Sequence, residues 1–271
     1  MSRLLFICLL LIAAVVFSTM LVARKREENR KPIYVERFIA TELSRECMLP
    51  VAQKSTVGNV SAAVRRPPVP LPKESRAELR KSAPAGSGRE QEARRLAVEK
   101  NQVMDALLNR PDIPSDYGRT MVALYRDRAQ DVYTRDFAVQ HIGLYAETLN
   151  RRGTYDPASR EAGELRRALW DASGETGTIV ATAAFRALAD LAAFDPKVDA
   201  RRLDSRLVSC AGDASASSAA RVMAVQLCGE RGIAASRPLL TRLLSDAATP
   251  VPLRKAADWS LRALDGKVVS Q

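Results

Sequence analysis

One histidine, four cysteines and a scatter of carboxylates are the residues of this chain that could do chemistry. His141 stands alone beside Ile142 in a helical stretch, and a single imidazole without a partnered nucleophile or carboxylate reads as structural or simply exposed. Asp190 and Asp195 both lie near a helix end, with no acid–base partner that the sequence names. There is no Cys-x-x-Cys, no phosphate-cradling glycine loop and no His-Glu-x-x-His. The expectation is therefore a non-enzyme: no catalytic residues, no cofactor-binding residues, no metal site and no cofactor. Cys47 is the one candidate for a reactive or intermolecular thiol.

The elements that would position these residues differ along the chain. It has 271 residues, room for one or two domains, with 42 basic and 31 acidic side chains, 46% hydrophobic residues and only 5% aromatics. Those values exclude a disulfide-stapled mini-domain and a multi-histidine metal site, and argue against wholesale disorder. Residues 4–23, LLFICLLLIAAVVFSTMLVA, carry no charge and include Cys8. At 1.5 Å per residue, such a run crosses the roughly 30 Å apolar core of a bilayer. It is longer than the core of a cleaved signal peptide, and the best cut, after Ala23, sets Leu21 where a small residue is wanted. We read 4–23 as a retained single-pass membrane anchor, with residues 1–31 as anchor and basic flank. Arg3 precedes it; Arg24, Lys25, Arg26, Arg30 and Lys31 follow. The richer flank favours a cytoplasmic body, and the alternative is export.

Residues 32–88 read as a basic, proline-rich linker. From Arg24 to Lys81 there are 14 basic and 7 acidic residues, whereas 82–271 hold 27 and 24. The excess charge thus belongs to the stalk, where anionic headgroups attract it. Val35, Phe38, Ile39 and Leu43 fall at helical spacing, so 33–46 holds a possible short helix on the membrane or on the folded body. VRRPPVPLP (64–72) favours polyproline II, and SAPAGSG (82–88) closes the linker.

From Arg89 the pattern turns helical. A first helix over 89–110 is ended by Pro111 and Pro114. Eight more are expected, at 115–128, 132–150, 157–172, 177–193, 197–211, 216–230, 236–245 and 250–264, with no stretch of period-two alternation and so no sheet. They pair into four units when aligned on Asp127, Asp171, Asp213 and Asp246. Six residues before these stand Met121, Leu165, Leu207 and Leu240; three before stand Leu124, Ala168, Cys210 and Leu243. Eight after, three units have Arg135, Arg221 and Arg254, each followed at +3 by Ala138, Ala224 or Ala257 and at +7 by Ile142, Cys228 or Leu261. The second unit has a longer turn and Ala181 in place of arginine, then Ala184 and Leu188, which predicts a kink or looser stacking near 172–181. These spacings put each apolar set on one helix face, and a single pair cannot bury it alone. Cys210 and Cys228 fall at apolar positions and read as buried thiols, since free cysteine packs as a small hydrophobe.

The last unit carries the clearest motif: Pro238, Leu239, Leu240, Leu243, Leu244, Asp246, Val251, Arg254, Ala257 and Leu261. The pattern over about 115–265 resembles the HEAT-like repeat family. The resemblance implies an all-α solenoid of about four antiparallel helix pairs in 89–271, with 89–110 as N-terminal cap. It also implies that Asp127, Asp213 and Asp246, with Arg135, Arg221 and Arg254, hydrogen-bond near the turns and between units. The function it implies is a non-catalytic scaffold for protein–protein interaction, held at a membrane through 4–23, with an unknown protein partner. The alternative is a nucleic-acid-binding protein or accessory enzyme on the same fold. Against nucleic acid stand the near-balanced body charge and the mixing of Arg160, Arg166, Arg167, Arg201, Arg202, Arg206, Arg237 and Arg242 with Glu161, Glu164, Asp199 and Asp204. Trp170 and Trp259 fall late in their helices, where an exposed tryptophan would mark a contact site.

Overall fold

Local signals start and stop the helices. Asp131, Ser159, Asp199 and Ser217 each accept a hydrogen bond from the backbone N–H three residues on, the N-cap arrangement that satisfies an otherwise orphaned donor. Pro238 and Pro252 sit in the first turn of the last two helices, where a missing N–H costs nothing. Gly153 and Gly232 adopt φ of 68° and 69°, which lets Thr154 and Ile233 donate back to the carbonyls of Leu149 and Cys228 and closes two helices in the Schellman manner.

The structure, a computed structural model, describes residues 69–81 and 89–266, all within one compact unit. The expected anchor at 4–23, the short helix at 33–46, Cys8, Cys47 and the linker's end at 82–88 lie outside the described residues. No described helix is long and apolar enough to cross a membrane. Among the described residues there are ten α-helices and no strand. We number them α1 (Lys73–Arg80), α2 (Arg89–Leu108), α3 (Tyr117–Arg126), α4 (Val132–Arg151), α5 (Arg160–Ala172), α6 (Val180–Leu191), α7 (Ala200–Gly212), α8 (Ser218–Glu230), α9 (Arg237–Ser245) and α10 (Val251–Leu264). From α3 on, they fall within a few residues of the eight expected.

Helices α3 and α4, α5 and α6, α7 and α8, and α9 and α10 pack as neighbours joined by short turns, and α2, α4, α6, α8 and α10 pack in succession. The all-α class is as expected, and the arrangement is compatible with a helical repeat. The apolar register holds throughout. Met121, Leu124, Leu165, Ala168, Leu207, Cys210, Leu240 and Leu243 are buried on the first helices. Ala138, Ala184, Ala224 and Ala257 are wholly buried on the second, as are Ile142, Leu188 and Cys228. Leu261, at the same position in the last described pair, is half-buried.

Eight residues past Arg135, Ala181, Arg221 and Arg254 stand Gly143, Ala189, Gly229 and Arg262. A Cβ on Gly143 would lie 2.7 Å from the Ala187 Cβ on α6, and one on Gly229 would lie 2.7 Å from the Ser260 Cα on α10. Those glycines let α4 meet α6 and α8 meet α10 closely. Ala189 occupies the same position on α6, and the contact between α6 and α8 is the thinnest of the three. The sequence reading expects looseness near 172–181 for want of an arginine; the thin contact falls on the far side of that unit, where the glycine is missing.

Residues 73–80 differ from expectation, which leaves them in the linker. Leu71 and Leu79 are buried, and α1 packs on α2. Ser115 N–H donates to the Val69 carbonyl at 2.9 Å, Asp116 Oδ1 accepts from the Leu71 N–H at 2.7 Å, and its other oxygen pairs with Arg76. Two buried leucines in so polar a stretch give too weak a periodicity to read. Pro72, at φ −56° and ψ 145°, keeps the polyproline II geometry expected of 64–72.

Candidate functional site: polar hubs between helix pairs

The predicted aspartates and arginines sit where the turns are, but they do not pair with each other. Asp127, Asp213 and Asp246 cap the first helices, and each Oδ1 accepts the backbone N–H two residues on, from Ala129, Ser215 and Ala248 at 3.0, 2.9 and 2.9 Å. This is the Asx turn that makes aspartate a loop residue. Arg135 Nε donates instead to the Tyr125 carbonyl at 2.9 Å, and Arg221 Nε to the Ala211 carbonyl at 3.4 Å, in each case two residues before the aspartate. Arg254 holds the equivalent place in α10 and is half-buried.

Asp171 is not the fourth member of this set. It lies inside α5 and faces Arg126 across 3.8 Å. The turn position belongs to Glu175, whose carbonyl accepts the Thr178 N–H at 2.9 Å just as the Asp127 carbonyl accepts Gln130 and the Asp213 carbonyl accepts Ala216. The longer glutamate reaches back to the preceding pair. It receives both oxygens' worth of Arg135 Nη2 at 2.7 and 2.8 Å, the Tyr125 hydroxyl at 3.0 Å and Arg128 at 3.0 Å. Burial pushes its carboxyl upward, yet the Arg135, Arg128 and Tyr125 hydrogen bonds outweigh burial and hold it below the usual range. The sequence reading misses Glu175 because it is one carbon longer than the aspartate used for the alignment.

A second hub forms at the loops that join one pair to the next. Asp195 Oδ2 accepts from Tyr155 Oη at 2.6 Å and Arg166 Nη1 at 2.5 Å, while its Oδ1 accepts the Lys197 N–H at 2.9 Å. Its side chain is fully covered. Burial again works upward and the three hydrogen bonds prevail, so the group stays ionised. The carboxylate that the sequence leaves without a partner thus accepts three hydrogen bonds in the fold.

His141 ends in a third cluster, between α2, α3 and α4. Its Nε2 faces Asn101 Oδ1 at 3.0 Å and its Nδ1 faces Tyr117 Oη at 2.7 Å. An amide oxygen only accepts, so Nε2 carries the proton and Nδ1 accepts the tyrosine O–H. Asn101 Nδ2 continues to Asp105 at 3.2 Å. Burial lowers the imidazole pKa to about 4, so the ring is neutral, and both nitrogens are engaged. Nearby, buried Lys100 donates to Gln130 Oε1 at 2.6 Å.

Cys210 and Cys228 are buried free thiols, and burial raises them to about 11 and about 12, which leaves little nucleophilic thiolate at neutral pH. Trp170 is half-buried beneath Arg202, 4.3 Å from its ring centroid, while Arg206 donates to the Trp170 carbonyl at 3.0 Å and to Ser173 Oγ at 2.7 Å. Of the expected arginine cluster, Arg166 serves Asp195, Arg160 pairs with Glu164 and Arg237 with Asp265. An opening of about 230 Å³ lies among Leu108, Asn109, Thr148, Arg151 and Arg152, where Arg152 is occupied by the carbonyls of Arg110 and Pro111.

These geometries define an all-α protein of stacked helix pairs whose polar clusters join one pair to the next. Comparisons with protein-family models, with curated proteins and with solved structures give no match in any of the three.

Proposed function

We propose that the chain is a HEAT-like repeat scaffold, held at a membrane by residues 4–23, that binds a protein partner and turns over no substrate. The observation that carries this reading is the unbroken succession of α4, α6, α8 and α10. Four second helices in a row create a broad surface that no single pair owns. Their solvent side offers Gln140 and Leu144 on α4, the Arg186–Glu230 pair linking α6 to α8, and Asp258 with Arg262 on α10. Mixed charge, amides and isolated apolar side chains suit a partner protein better than a uniformly anionic polymer. The polar hubs support the same reading, because they spend their hydrogen bonds on joining helices.

Photo-crosslinking in cells tests it. A photoreactive residue at Gln140 or Gln226 of the full chain is expected to capture the same protein. The same residue at Ala123 or Arg242, on first helices, is expected not to. Capture only from the first-helix positions, or from neither face, overturns the assignment.

A further inference from the structure

The three contacts between successive second helices are built to one plan, and one of them departs from it. In the first and third, Gly143 and Gly229 bring backbones together, with Ala187 and Ser260 directly opposite. In the middle one the same register position is Ala189 instead of glycine, and the contact between α6 and α8 is the thinnest of the three.

Several polar contacts bridge the middle seam. On the first-helix side, Arg206 reaches the Trp170 carbonyl and Ser173, and Arg202 covers the Trp170 ring. At the turns, Ser217 N–H donates to the Thr176 carbonyl at 2.8 Å and Ser217 Oγ to the Thr178 carbonyl at 3.1 Å. On the solvent side of the second helices a single bidentate pair, Arg186 with Glu230 at 2.7 and 2.9 Å, spans α6 and α8. Both side chains of that pair are about one-third exposed, at 32% and 36%, so salt weakens it.

We infer that the α6–α8 seam is a hinge that divides the stack into two rigid halves, with the Trp170–Arg206–Ser217 contacts as pivot and the Arg186–Glu230 pair as clasp. Residues 89–191 move as one half and 200–266 as the other. Opening releases the clasp and widens the second-helix surface without breaking either half's core. This inference rests on packing and does not depend on the scaffold reading.

Spin-label distance measurements on the full chain test it. Cys8 and Cys47 are replaced by serine, the buried Cys210 and Cys228 are left, and labels are placed at Ala123 and Arg242, which lie on opposite sides of the seam. A reference pair at Gln102 and Arg167 stays within the first half. The hinge predicts a distance distribution for the spanning pair at least twice as wide as the reference. It also predicts narrowing in Ala189→Gly and broadening in Arg186→Gln or at 1 M salt. Equal widths for the two pairs, or no response to either substitution with both variants folded by circular dichroism, overturn it.

Discussion

Asp136 shows how far a single side chain can set a response. Its carboxyl is buried, Gln140 donates to one oxygen at 2.8 Å, and the other oxygen has no partner. Burial pushes its pKa up to about 7, with only the Gln140 bond acting the other way. The folded protein therefore keeps a proton that the unfolded chain releases near pH 4. The stabilisation this proton gives is complete below about pH 4 and is lost as pH rises through about 7. Asp136→Asn should flatten that loss. Denaturant titrations at pH 5 and pH 8 check it, the variant gaining on the wild type as pH rises; a constant difference between them would refute the assignment. Glu175 is the other telling residue. Glu175→Gln leaves Arg135, itself 8% exposed, beside a neutral amide, and should cost about 3 kcal/mol in equilibrium unfolding, as removal of one partner of a buried pair does. Arg135→Met combined with Glu175→Leu should recover most of that loss, because it removes both partners.

At the scale of elements, the seams make the next prediction. Gly143→Ala and Gly229→Ala drive a methyl group into Ala187 and Ser260 and should each destabilise by about 1–3 kcal/mol. Gly163→Ala, in the interior of α5 with only an Arg166 nitrogen at 3.8 Å, should instead stabilise by about 0.5–1 kcal/mol. Thermal unfolding of the three variants separates them by sign. The same elements show what the sequence makes legible. The position of each helix from α3 on follows from apolar spacing, because the core faces are aliphatic and regular. The glycine seam is hidden in that pattern, because a glycine opposite an alanine has no hydropathy to show. The turn aspartates are visible as a repeated residue, whereas Glu175 and Asp195 gain partners such as Arg135 and Tyr155 from 40 residues earlier in the chain. Helix α1 escapes notice because its support comes from Asp116, at the start of α3.

At the scale of the whole molecule, the polar clusters join helices, and the proposed partner surface is the face of the second helices. The His141 cluster, the Glu175 hub and the Asp195 hub follow one another along the chain, and the latter two link consecutive pairs from turns and return loops. A stack so joined presents its second helices as one face, and the proposed anchor at 4–23, with the linker expected over 32–88, is the part of the proposal that concerns a bilayer. Fractionation of the full chain checks the last point: it should remain with membranes in carbonate and leave them when 4–23 is deleted. Release of the intact chain by carbonate would contradict a spanning anchor.

The most direct measurement is the thermal unfolding of the full chain carrying Asp195→Asn. This carboxylate is a structural link between Tyr155 and Arg166, so the midpoint should fall by on the order of 10 °C, as loss of about 3–5 kcal/mol implies for a domain of this size. An unchanged or higher midpoint would contradict it, because a buried carboxylate that can be neutralised without loss is one kept for chemistry instead of for the fold.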